Sequence, residues 1–303
     1  MTSKKVACLF PGQGAHHVGM LDGVCKATAF AERYALVCDA LGEDVLDGLT
    51  TQKSNFLNRN EVSSLLTVLV STLSYDLWQK QGSFARASYL AGYSVGQWTA
   101  LYAAGALSFE MLVKVVKTRA LIMNRCLEDT PSGMIAVIGL SESAITLVVQ
   151  KLQDEGYFVE LTNFNCLGQY SLAASAQALQ PTVATLQALS PKKVVVLPVA
   201  GAWHSSLLRP AEGEFAAFLS TVELAPLRLP VVDNVTGGLL PTSPDQIKIQ
   251  LTKHLSHPVL WQKGIETLID QGCEHFIEVG YGKLLTKFGF FINRSYRHLS
   301  FYS

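Results

Sequence analysis

The order of apolar patterns constrains this chain more than any single residue does. Short apolar runs of strand length alternate with longer stretches of helical periodicity. Lys5 to Phe10, "KVACLF", is stopped by Pro11-Gly12, and "ASYLAGY", Ala87 to Tyr93, runs into a glycine-flanked turn before a small-residue helix pattern. Helical spacing fills Val62 to Trp78, Val95 to Ala104 and Phe109 to Cys126. Strands that alternate with helices need crossover connections, so this order predicts an α/β fold with a mainly parallel sheet.

The middle of the chain changes rhythm. Met134 to Leu140 is strand-like, Glu142 to Glu155 helical, and Tyr157 to Asn163 and Tyr170 to Ala174 are strand candidates around a turn-rich stretch. A helix at Ala176 to Leu189 and the strand "KVVVLPV" follow. The order β-α-β-β-α-β is the split arrangement of a ferredoxin-like unit, expected here as an insertion. Beyond it the larger body resumes: a helix near Leu207 to Phe218, the extended "LPVVDNVTG", helices at Pro244 to Leu255 and Val259 to Gln271, and the strand "HFIEVG".

Composition removes several function classes. With 24 basic against 24 acidic residues in 303, no phosphate-neutralising surface is expected, hence no nucleic-acid partner. No apolar stretch is long enough for a membrane span, and the start lacks a secretory leader pattern, so a cytoplasmic location without membrane partners is expected. Six scattered cysteines read as reduced core thiols, and no histidine spacing supports a metal site. Without a heptad pattern, a monomer is the expectation.

Gly92-Tyr93-Ser94-Val95-Gly96 carries the chemistry. A G-x-S-x-G turn between strand and helix projects the serine above the sheet edge, and the helix behind it aims its positive end at developing negative charge. The alternative is a serine that only caps a helix. A hydroxyl nucleophile needs a base. Of seven histidines, His204 stands where the apolar strand "VVVLPV" ends in small residues before a helix. A buried structural histidine is the other reading; His16, His17, His254, His257, His275 and His298 read as surface residues. Arg119 lies near the middle of an apolar helix pattern, where a surface residue is an equal reading.

Several stretches together resemble one family: "FPGQGAHHVGM", "AGYSVGQWTALYAAGALSFE", "KTRALIM", "NFNCLGQ", "VAGAWHSSLLRPA", "NVTG" and "HPVLW" followed by "EVGYGKLL". Their order is similar to that of malonyl-coenzyme A:acyl carrier protein acyltransferases of fatty-acid and polyketide synthesis. The resemblance spans almost the whole chain. It implies an α/β-hydrolase-like large subdomain, residues 1–128 and 198–303, and a ferredoxin-like small subdomain, 129–197. It implies Ser94 as nucleophile, His204 as general base oriented by the main-chain carbonyl of His254, and backbone N–H groups of Gln13 and Val95 as the oxyanion hole. Arg119 matches the arginine that pairs with the malonyl carboxylate; Trp203, Asn163, Gln169 and Tyr93 are the further substrate-binding candidates. No tightly bound cofactor is implied: malonyl-CoA is the donor, and the phosphopantetheine thiol of an acyl carrier protein the acceptor.

Departures from the family pattern matter too. Tyr93 and Gln97 replace a histidine and an acid, Val62-Ser63 replaces glutamine-proline, Trp203 replaces a phenylalanine, and His254 a glutamine. Trp203 would wall off large α-substituents, while its indole N–H could bind a polar one, keeping hydroxy- and amino-malonyl donors open. Other functions compatible with the motifs are an acyltransferase subunit of malonate decarboxylase, a hydrolase clearing stalled acyl carrier proteins, and a silent carrier-docking scaffold. Arg119 argues against the hydrolase, because neutral acyl chains leave its charge unpaired.

Overall fold

β1 (Lys5–Phe10) lies inside a sheet, its last five residues buried, as an apolar run without alternation requires. The computed structural model describes residues 4–14, 17–81, 86–199 and 201–301, so the expectation for His16 falls outside the described residues. After β1 come α1 (Phe30–Leu41), α2 (Val45–Thr51), α3 (Ser54–Leu57) and α4 (Asn60–Gln81). Next are β2 (Tyr89–Gly92), α5 (Gly96–Ala103) and α6 (Phe109–Cys126). The middle contributes β3 (Ser132–Ile138), α7 (Glu142–Asp154), β4 (Val159–Cys166), β5 (Gln169–Ser175), α8 (Ala176–Gln187) and β6 (Lys193–Val196). The last part holds α9 (Arg209–Ser220), α10 (Pro244–Lys253), α11 (Trp261–Asp270), β7 (Cys273–Glu278), α12 (Leu284–Ile292) and β8 (Arg297–Ser300).

Two four-stranded sheets result. The first, in order β2-β1-β7-β8, is parallel throughout. The second, β4-β5-β3-β6, is antiparallel and has the split topology expected of the middle segment. α4 is buried along most of its length, which explains why it reads as apolar well beyond one stripe. It packs with α6, α5 and α1 in the main core, where Leu65, Leu66, Leu69, Trp98 and Val116 meet.

Some boundaries differ from the expectation for physical reasons. The helix expected from Val259 begins at Trp261, because Val259 bridges β4: its N–H donates to Thr162 O at 2.8 Å and its carbonyl accepts from Phe164 N at 3.0 Å. The strand expected through Val199 ends at Val196. "LPVVDNVTG" stays extended where Val231 bridges Leu90 and Val232 bridges Leu239, then turns. Cysteines are less uniformly core than expected: Cys25 is exposed, Cys38 and Cys126 are intermediate, and only Cys8, Cys166 and Cys273 are buried. His254 is a clear correction, since it is 0% exposed rather than superficial. Among the described residues no helix is long and apolar enough to cross a membrane.

Candidate active site

Backbone crowding selects the glycines of the turn after β2. A Cβ on Gly92 would lie 2.0 Å from Gly96 O, and one on Gly96 would lie 2.4 Å from Phe10 O. Between them Ser94 holds φ +52°, a left-handed conformation that costs a non-glycine residue energy and recurs at functional sites. The reading of Ser94 as a helix cap fails: Val95 is the N-cap of α5, and no side chain caps that helix. Ser94 Oγ instead lies 2.7 Å from His204 Nε2.

His204 approaches from the segment between β6 and α9, also at positive φ, +61°. Its Nδ1 lies 2.9 Å from the main-chain carbonyl of His254, so Nδ1 carries the proton and Nε2 faces Ser94 as acceptor. Burial, and secondarily the charge of Arg119, push its pKa down to about 3, against the smaller upward pull of the His254 carbonyl. At neutral pH the imidazole is therefore neutral and free to take a proton.

The loop after β1 is held from several sides. Gln13 Nε2 donates to Ser63 Oγ at 2.7 Å, Asn60 Oδ1 at 3.0 Å and Ser64 Oγ at 3.1 Å, all on α4. Tyr281 Oη donates to Gly12 O at 3.0 Å. Val95, at the start of α5, has its N–H among those a helix leaves without an intrahelical acceptor. Gln13 and its neighbour Gly12 are fixed by the bonds to α4 and Tyr281 in the loop that lines the cavity beside Ser94.

Arg119, on α6, is 2% exposed, and its Nη2 has no partner among the described residues. Burial lowers its pKa to about 10, so it remains cationic at neutral pH. A buried guanidinium nitrogen without a partner is costly, so Arg119 is suited to an anionic ligand, although it is not among the residues lining the cavity beside Ser94. Asn60, one of the residues that hold Gln13, also reaches α6: its Nδ2 donates to Asn124 Oδ1 at 3.1 Å.

A cavity of about 200 Å³ opens onto the serine and histidine. Gln13, Tyr93, Met134, Asn163, Ser171, Leu197 and Trp203 are among its lining residues. Trp203 forms a wall against which Gly201 packs so closely that a Cβ there would lie 2.6 Å from the indole. The Tyr93 hydroxyl is already occupied: it donates to Asn165 Oδ1 at 2.7 Å and accepts from Asn163 Nδ2 at 2.9 Å. Gln169 begins β5 and is not among the lining residues. Among the described residues no group of His, Cys, Asp or Glu is arranged to hold a metal ion.

Asn234 was not singled out from the sequence, although "NVTG" carried the resemblance. Its Oδ1 accepts from Ser94 N at 2.8 Å, its Nδ2 donates to Gly92 O at 2.7 Å, and its own N–H donates to Gln97 Oε1 at 3.2 Å. The strained turn is thus braced from outside. Gln97, where the family has an acid, still presents an oxygen to Asn234.

Residues 8–290 match the model of the acyl transferase domain. The chain belongs to this acyltransferase family. Within it, the chain is 35% identical over 282 residues to the malonyl CoA-acyl carrier protein transacylase of Escherichia coli strain K12, covering 92% of this chain and 90% of that protein. It is also 32% identical over 280 residues to the polyketide biosynthesis protein ThaF of Burkholderia thailandensis, covering 92% of this chain but 23% of that longer one. Among solved acyltransferases, the acyl-carrier-protein S-malonyltransferase of Burkholderia pseudomallei 1710b superposes with a TM-score of 0.91 at 29% identity, covering 99% of this chain and 96% of that one. A malonyl-transacylase solved in complex with a type II polyketide acyl carrier protein gives 0.88 at 29% identity, covering 98% and 94%.

Proposed function

We propose that this acyltransferase moves a malonyl group from coenzyme A to the phosphopantetheine thiol of an acyl carrier protein, in fatty-acid or polyketide synthesis. The observation that carries the reading is the Ser94 Oγ to His204 Nε2 contact of 2.7 Å, near a buried arginine whose charge acts on His204 and whose Nη2 has no partner among the described residues. Malonyl transfer to an acyl carrier protein is named in the curated relative, and a carrier protein is bound to one of the solved neighbours. Residues 1–128 and 198–303 form the catalytic body in this reading, and 129–197 the inserted unit that covers the cavity.

The chemistry follows from the geometry. Ser94 Oγ attacks the thioester carbonyl as its proton passes to His204 Nε2, and the oxyanion is met by the N–H groups of Gln13 and Val95. Collapse breaks the C–S bond, and the thiolate leaves with the proton from Nε2. The carrier thiol then runs the same steps in reverse order on the malonyl-serine ester. Arg119 binds the free carboxylate of the malonyl group. That pairing also cancels a positive charge that weakens His204, so the donor carrying a carboxylate strengthens the base that attacks through Ser94. Trp203 closes the wall beside His204 and favours an unsubstituted malonyl group over a bulky one.

Intact-protein mass spectrometry after mixing with malonyl-CoA tests the reading. A malonyl adduct is expected on the unaltered chain, absent in Ser94→Ala, and discharged by holo acyl carrier protein. An undiminished adduct in Ser94→Ala removes the serine from its role; discharge to free malonate without carrier loading favours the hydrolase.

A further inference from the structure

Beside the catalytic base lies a second imidazole that the reaction as derived does not use. The rings of His204 and His254 are stacked, with centroids 4.9 Å apart and planes inclined by 26°. His254 is the C-cap of α10, and its carbonyl, one of those a helix end leaves without an intrahelical donor, accepts from His204 Nδ1. Its side chain is fully buried, and neither Nδ1 nor Nε2 has a partner among the described residues. Buried polar groups without partners are uncommon and call for a reason.

Hydrogen-bond geometry decides which ring of the pair carries a proton. An imidazolium donates from both nitrogens. His204 has an acceptor on each side, His254 O at 2.9 Å and Ser94 Oγ at 2.7 Å, whereas His254 has none. The charge therefore resides on His204. Other charged groups reinforce this placement. Arg119 from α6 and His257 beyond α10 both oppose a proton on His254. Glu212 of α9 is engaged by other residues: it accepts from Ser256 Oγ and lies 3.9 Å from His257 Nδ1.

We propose that His254 is a positioning residue whose neutral ring face stabilises the imidazolium present on His204 between attack by Ser94 and departure of the thiolate. Aromatic faces attract cations within about 6 Å of the ring centroid. The cation exists only while the tetrahedral intermediate does, so the contact strengthens on the way to the transition state, the condition for raising kcat. His254 exchanges no proton: the one released by Ser94 Oγ travels to His204 Nε2 and then to the leaving sulfur.

The inference rests on Ser94 and His204 being nucleophile and base, and the test separates the two. Single-turnover release of coenzyme A from malonyl-CoA is measured for the unaltered protein and for His254→Phe, His254→Gln and His254→Ala. Histidine ring 15N NMR follows protonation of His204 in each. His254→Phe, which keeps a ring and has no nitrogen, is expected to stay within roughly 3-fold of the unaltered rate. His254→Gln and His254→Ala are expected to lose roughly 10-fold in rate with KM unchanged, and to protonate His204 at lower pH. Phe falling as far as Ala, or Gln keeping both rate and protonation pH, overturns the proposal alone. Absence of any burst in the unaltered protein overturns the reading of the site as well. Where Ala or Phe yields no folded protein, His254→Gln decides.

Discussion

Ser94 and His204 share an unusual property: both hold left-handed backbone conformations, φ +52° and +61°, with no glycine to relieve them. Such strain persists where surrounding contacts over-determine it. At His204 burial adds a second constraint, visible in stability. Its pKa is low in the folded chain, about 3, and ordinary in the unfolded one, so the unfolded state binds the extra proton. Its contribution is complete above the ordinary histidine range and is lost as pH falls toward about 3. Urea unfolding of His204→Gln at pH values between about 4 and 7 is expected to depend less steeply on pH than that of the unaltered chain; equal slopes would contradict the assignment. Arg119→Ala is expected to lower malonyl loading by at least roughly 100-fold while acetyl loading changes far less, since only the malonyl group carries a carboxylate. Comparing adduct formation from the two donors checks this. Ser94, His204 and Arg119 could be singled out as candidates because their neighbours form motifs. The stacking of His254 was not, because a histidine in a polar helix sequence looks superficial until packing covers it.

At the level of elements, the nucleophile turn shows why the sequence pattern is so compact. Gly92 and Gly96 are demanded by backbone atoms a short distance away in space, Gly96 O and Phe10 O, so β1, β2 and α5 converge there. Asn234 completes the turn with both ends of its carboxamide. Asn234→Ala is expected to leave the buried Gly92 carbonyl and the Ser94 N–H unpaired, at about 1 to 3 kcal/mol for each. A lower urea midpoint together with slower malonyl loading is the expected result; unchanged values would show that the turn holds itself. Most long elements were readable from apolar periodicity, β1, α4, β2, α5 and α6 and then β3 through α8, but α1, twelve residues with only Arg33 and Val37 buried, was not. The short ones were not. α2 and α3 span seven and four residues, too few for a helical period, and β8 is four residues of mixed polarity whose strand character comes from pairing with β7. Val259 could not be separated from the helix that follows, since its extended state is imposed by β4.

Across the whole molecule, the two sheets are tied close to the reacting groups. Tyr93, next to the nucleophile, bonds Asn163 and Asn165 on β4. Glu160, also on β4, accepts from Ser206 N at 2.7 Å and from Ser206 Oγ, two residues beyond the base. Glu160→Ala removes both acceptors, and a loss of about 1 to 3 kcal/mol is expected, read as a drop of a few degrees in Tm. If Glu160 also fixes the His204 segment, malonyl loading slows along with it; a Tm change without a rate change would confine it to stability. By itself the sequence determined the order of strands and helices, the split βαββαβ middle, the serine turn and the residue types the chemistry requires. These follow from local period, glycine placement and motif order, which need no knowledge of distant neighbours. Only the tertiary structure decided that Tyr93 has its hydroxyl satisfied by the second sheet, that Gln169 stands off the cavity, that Asn234 braces the turn, and that His254 lies under the catalytic base. Apart from Gln169, each depends on a partner fifty or more residues away, and no local pattern encodes which side chains meet there.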